Sequence, residues 1–208
     1  MIANEGAKRG GAKKRKCESF VVFEKNLKRS RAFIRIFGEE NRPQGPPSAD
    51  ERELTRGALV FAIGALDNFL HELILEIVPK FGGDRGAMKE PLKNIARADP
   101  ALALRVALAG PKEAELEFRG ALDNWLESQS FHGVQKILAG TGFLGFVLNE
   151  TKLPKDWRQK LEGYTEERHQ IVHRGSTKVI KRDEAKACAD LVEAIAKSIN
   201  DDSVRYYH

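Results

Sequence analysis

The residues best suited to chemistry sit in one short run, Arg168-His169-Gln170-Ile171-Val172-His173. Projected as a helix, Trp157, Leu161, Tyr164, position 168 and then Ile171 or Val172 form an apolar stripe that should face a core. Arg168 interrupts it. A guanidinium on such a stripe is costly to bury unless something anionic or a polar cleft meets it. Places where a local pattern breaks without compensation are where function is expected. An arginine that snorkels outward, or that pairs with a buried carboxylate, fits the same pattern. His169 and His173 are four residues apart and share a face. Such a pair can ligate a metal, but no third ligand is suggested and no metal is expected. A histidine that titrates near neutrality can also move a proton. His71 and His132 each stand alone and read as polar edge residues.

Other routes to chemistry close quickly. There is no Walker A loop, no GxGxxG after a strand, no HExxH, no GxSxG and no paired zinc-ligand spacing. No cofactor is expected. The two cysteines, Cys17 and Cys188, are far apart and not in a CxxC, which argues against a disulfide framework and for a reducing, cytoplasmic compartment.

The elements that must carry Arg168 and its neighbours read as helices. The chain has 208 residues, 41% of them hydrophobic. That suits one domain, or one domain plus a tail, with a substantial core. No run approaches the roughly 18 apolar residues of a spanning helix, and the first sixteen residues lack the apolar centre of a secretory signal. No membrane association is expected. The formal net charge of +5 is unevenly placed. Up to Arg42 there are 12 Lys and Arg against 5 Glu, leaving 23 basic against 25 acidic residues in the rest.

Residues 1–18 read as a disordered basic tail. Residues 19–37 read as a basic amphipathic helix with Phe20, Phe23, Leu27, Ile34 and Phe37 on one stripe, and 38–49 as a Pro/Gly hinge. Lys13, Lys14, Arg15 and Lys16, with this helix, could bind RNA phosphates, and Arg174 could add to them. A solvated tail, or the basic face of a helix that docks on the core, fits equally well.

Residues 50–208 then form a helical domain. Ser48 or Asp50 can cap a long helix to Val78, with Leu59, Ile63, Leu66, Phe69 or Leu70, Leu73 and Ile77 inward. Helices follow at about 91–98, 101–108, from Pro111 to about Ser128, and near 132–139. Another runs from Pro154 to about His173 with Gly175 as its stop, and a last one from Asp183 to about Asn200. Gly140–Gly145 reads as irregular, and Thr177–Ile180 as a turn or a short extended piece. Gly64–Leu70 echoes Gly120–Leu126 at six of seven positions. The fold class is all-α.

Arg168 and His173, with a polar residue directly after the arginine, fit the Arg-x4-His signature of HEPN domains. The context is similar too: Gly64-Ala65-Leu66-Asp67-Asn68-Phe69-Leu70-His71-Glu72-Leu73-Ile74, then Gln129-Ser130-Phe131 before a short helix, and Trp157 ahead of the motif. From about Asp50 to Asn200 the chain most resembles the RiboL-PSP-HEPN group and related prokaryotic HEPN-like nucleases, with an additional N-terminal helix. His169 stands where Asn or Asp is commoner. The resemblance implies a homodimer whose two motifs meet in a cleft. It implies a metal-independent endoribonuclease in a defence or toxin–antitoxin setting, with an antitoxin or regulatory protein as a further partner. Relatives that lost activity only bind RNA or nucleotides, which is the alternative for this chain; a helical regulatory scaffold with a basic arm is a third reading. In the active reading His173 is the base or acid, Arg168 holds the phosphate, and His169 orients the motif or donates to a phosphate oxygen.

Overall fold

In the computed structural model, residues 16–38, 48–84 and 86–207 are described, without the side chains of 37 and 38. The expected tail up to residue 15 (with Lys13, Lys14 and Arg15) and most of the expected hinge lie outside this set. The described residues are all-α: eight α-helices and one 3-10 turn, with no strand.

The organising element is α2, Ala49–Phe81, 33 residues and therefore about 50 Å long. Ser48 starts it with a capping box. Its hydroxyl accepts the Glu51 N–H at 3.2 Å, and Glu51 accepts the Ser48 N–H at 2.6 Å. Pro79, expected to end the helix, lies inside it, and Gly82 closes it in the left-handed region with its N–H on the Val78 carbonyl. One turn from the end a proline removes a single ladder bond, which Gly82 helps to offset. Leu59, Ile63, Leu66, Phe69, Leu70, Leu73 and Ile77 are fully buried. Contrary to the composition reading, α2 is long and apolar enough to cross a membrane. Here its apolar surface is covered by other helices, since a helix apolar most of the way round needs burial on several sides.

The first helix, α1 (Glu18–Gly38), docks on this core rather than standing apart from it. The carboxylate of Glu76 accepts the backbone N–H groups of Glu18 and Ser19 at 3.1 and 2.9 Å, a negative charge on the positive end of the helix. Phe20 and Phe23 meet Phe69, and farther along the Ser30 hydroxyl donates to the Ala58 carbonyl at 2.7 Å. The two helices are therefore antiparallel. Arg31 forks onto Asp190 and Glu193 and ties α1 to the last helix. Cys17 and Cys188 are buried free thiols; burial pushes the Cys17 thiol up to about 12 and the Cys188 thiol up as well.

Four shorter helices cover one flank: α3 (Lys89–Ala98), α4 (Leu102–Leu108), α5 (Pro111–Leu126) and α6 (Val134–Phe143). The internal echo has a physical content. Leu66 and Leu70 on α2 and Leu122 and Leu126 on α5 are all fully buried, while Asn68 and Asn124 face solvent. Helix α6 continues through most of the stretch expected to be irregular. At Gly140 a side chain would meet the Phe131 ring at 3.1 Å, so glycine there serves close packing rather than a turn.

Helix α7 (Trp157–Arg174) starts three residues after Pro154, because Glu150–Lys152 forms a 3-10 turn first. Glu150 in that turn accepts the Trp157 indole N–H at 3.0 Å and pairs with Arg158. Gly175, at φ 62°, stops the helix as expected. The last helix, α8 (Arg182–Tyr207), outruns its expected end at Asn200. Polar groups around and beyond that position find partners inside the protein: Ser198 donates to the Asn149 carbonyl, Asp202 accepts the Asn149 N–H, and Tyr207 donates to the Leu144 carbonyl.

Between α7 and α8, residues 176–180 form no strand. Arg56, buried on α2, donates to the carbonyls of Thr177 and Lys178 at 3.1 and 3.2 Å and pairs with Glu53. Arg56→Ala removes both of these charge-assisted hydrogen bonds, made by a buried guanidinium to an exposed segment. It is expected to cost about 1–3 kcal/mol in a urea titration, and a loss below about 0.5 kcal/mol would show that this clamp carries little.

Candidate functional site

Only the first half of α7 is anchored by full burial, at Trp157 and Leu161, with Tyr164 and Ile171 packed at the core margin. Towards the C-terminus the helix emerges, and there the three expected residues stand. Arg168 is half-buried, and its Nε is shielded from solvent with no hydrogen-bond partner. His169 and His173 are exposed, their rings 4.9 Å apart and tilted by 44°. The stripe that Arg168 interrupts is thus real but shallow, and Val172 on it is 47% exposed.

Two anchors set α7 against α2. At mid-helix the Thr165 hydroxyl donates to the His132 carbonyl at 2.7 Å, and the Phe131 N–H donates to Asp67 of α2. Beyond the helix end, Arg56 holds Thr177 and Lys178. Late residues of α2 therefore match early residues of α7, and the pair is antiparallel. Arg168, three residues after Thr165, comes level with Gly64, and His173 comes nearer the start of α2. Glu167 pairs with Lys178 and steadies the same end.

Of the other expected contacts, Arg174 stays with the motif and Lys16 separates from it. Arg174 is exposed at the end of α7, beside His173. Lys16 lies before the other end of α1, where it pairs with Glu24 at 2.6 Å and sits 5.4 Å over the Phe20 ring. Since α1 begins near Glu76, Lys16 is at the far end of α2 from His173.

Sequence reasoning missed a polar cluster next to the motif. His71 and His132, read as solitary, converge on the Asp67 carboxylate. His71 Nε2 is 3.9 Å from Oδ1 and His132 Nδ1 is 3.8 Å from Oδ2. Both nitrogens are shielded and without hydrogen-bond partners. His71 also meets the Phe131 ring edge-on, with centroids 5.0 Å apart. The spacing of Asp67 and His71, four residues apart on one helix, was a readable signal. Nothing in the sequence brings His132 to them.

Burial acts to raise the Asp67 carboxyl. The adjoining His132 ring and the Phe131 N–H, with the His132 and His71 imidazoles when protonated, outweigh it, so the carboxyl is held below its usual range. A depressed carboxyl stabilises the fold above its unfolded-chain value, near 3.9, and the contribution is lost as pH falls through the folded value. The stability advantage of the native protein over Asp67→Asn is therefore expected to shrink as pH falls from about 5 to about 3. Melting curves across that range check it, and an advantage that grows in acid would refute the charge pairing.

Among the described residues no three His, Cys, Asp or Glu side chains are grouped to hold a metal ion. The arrangement at the end of α7 is a half-buried guanidinium with an unspent donor and, on the exposed side of the same turns, two open imidazoles. Chemically it can hold a phosphate and move protons next to it. Comparison with family models, with curated proteins and with solved structures finds no match to this chain.

Proposed function

We propose that this chain is a metal-independent endoribonuclease of the HEPN type. The observation that carries the reading is Arg168, whose Nε is shielded and unpartnered, on the same last turns of α7 that carry the exposed, closely spaced rings of His169 and His173. RNA brings its own nucleophile. A base takes the proton from a 2′-hydroxyl, the 2′-oxygen bonds to phosphorus, and the bond to the 5′-oxygen breaks. An acid protonates that leaving oxygen, so the products are a 2′,3′-cyclic phosphate and a free 5′-hydroxyl. His173 is base or acid, and Arg168 holds the phosphate and stabilises the charge of the crowded intermediate. His169 orients the motif or donates to a phosphate oxygen.

The thinly packed end of α7 suits a second copy of the chain, which would bring two motifs into one cleft. The setting proposed is cytoplasmic, with an antitoxin or other regulatory protein controlling an activity used in defence. The test is incubation of the protein with RNA and with its 2′-deoxy counterpart, both in EDTA, with product ends identified by mass. RNA cleavage to cyclic phosphate ends, with the deoxy strand intact, supports the reading. RNA left whole at every concentration where light scattering shows the dimer would overturn it.

A further inference from the structure

We infer that Phe61 is a stacking platform for an unpaired nucleobase of the RNA, deepening the ribonuclease reading on which it rests. Phe61 is 44% exposed, unusual for a phenylalanine on the central helix of the core. It is not loose. Its ring lies 5.4 Å from that of Phe33 on α1, tilted by 42°, and Phe33 in turn rests 3.8 Å from the place a side chain on Gly57 would occupy. The pair is a fixed aromatic surface with one ring facing solvent.

Its position follows from helical spacing. Gly57, Phe61, Gly64 and Asn68 are three or four residues apart and share the solvent side of α2. Helix α1 packs on one side of this strip, through Ala58, Phe61 and Phe69. Helix α7 packs on the other side, through Asp67 and the 131–132 segment, and through Arg56 beyond its end. The strip is thus the open floor between α1 and α7. At Gly64 an added side chain would meet nothing within 4 Å, so the floor is clear at the level of Arg168. Phe61, one turn nearer the start of α2, comes level with the stretch between His169 and His173.

Charge selects the occupant. On the α1 side Lys25 and Arg29 are exposed, Arg29 one turn before Phe33 on the same face. On the α7 side stand Arg168 and, at its end, Arg174. An exposed aromatic ring between cationic walls is the arrangement that binds single-stranded nucleic acid: bases stack on the ring while cations follow the backbone. An apolar protein segment would gain from Phe61 but not from the cations beside it. With a base on Phe61, the neighbouring phosphate falls towards Arg168 and His173, where the 2′-hydroxyl must be held for attack.

The test measures binding to a ten-nucleotide single strand carrying a 2′-deoxy block at every position, so that it is bound but not cut, followed by anisotropy. Phe61→Ala is expected to weaken binding by about 5- to 150-fold, and Phe61→Tyr to restore most of it. In Phe61→Trp, the emission added over the wild-type protein should be quenched by this strand but not by an abasic strand of equal charge. Equal binding by Phe61→Ala and wild type, no quenching by a strand shown to bind, or no binding to the wild type would each overturn the platform. Equal quenching by the abasic strand would do the same. The ribonuclease reading is decided separately. Cleavage with no role for Phe61 leaves that reading standing and removes the platform; stacking without cleavage does the reverse.

Discussion

Arg168→Ala and His173→Ala are each expected to lower RNA cleavage by at least about 100-fold. General acid–base groups contribute about 100- to 10,000-fold, and a lost charge-stabilising donor costs about 100- to 1,000-fold. Neither substitution should unfold the chain. His173 is exposed, and Arg168 Nε makes no hydrogen bond within the protein that truncation would break. The measurement is initial cleavage rate in EDTA, beside melting curves of each variant. Because the two residues act on one transition state, the double variant should lose little more than either single one. Arg168→Lys keeps the charge but loses the two-pronged fork, so it should recover only part of the rate. Full activity in both alanine variants would remove the motif from the chemistry. His169→Ala is expected to have the smaller effect of an orienting group.

The largest effect on stability is expected at Phe69. Its ring is fully buried on α2, 5.8 Å from Phe20 and 5.4 Å from Phe23, and those two rings stack 5.6 Å apart. Phe69→Ala removes the shared member of the trio and leaves a cavity under α1. Losses of about 3–5 kcal/mol are usual for such a change, against a total stability of about 5–15 kcal/mol for an ordinary domain. The denaturation midpoint should fall with the slope unchanged. Hydrogen exchange should quicken first in α1, whose hold on α2 depends on these rings. Asn68→Ala, one residue away and exposed, should change stability by no more than about 0.5 kcal/mol. A Phe69→Ala loss below about 1 kcal/mol would contradict this account of how α1 is attached.

That attachment separates what local pattern reveals from what it does not. The stripe of Phe20, Phe23, Leu27 and Ile34 identifies a helix with one apolar face, and all four side chains are buried. A stripe says that something covers it, not what. The covering element is α2, and Glu76, 57 residues beyond Ser19, completes the joint. The basic residues before the hinge therefore belong in part to a core helix. Lys16 is occupied by Glu24, while Lys25 and Arg29 remain on the outer face.

Helix ends show the same division. Ser48 and Gly175 act where they were expected, because capping is chemistry within four residues. The expected end of α8 falls too early because the polar groups near it are satisfied by partners far off in the chain, Asn149 and Leu144; Pro79 is a local case, tolerated within one turn of the Gly82 cap.

The all-α class, the long central helix, and a motif whose arginine breaks an apolar stripe are all readable from the order of residues. All of these follow from periodicity and caps, which act over a few residues. Packing is what leaves Arg168 with an unpartnered donor and brings His71 and His132 together at Asp67. It also leaves the Phe61 ring, held against Phe33, partly open to solvent. Those outcomes depend on which side of α2 each helix covers, set by contacts between residues far apart in the chain.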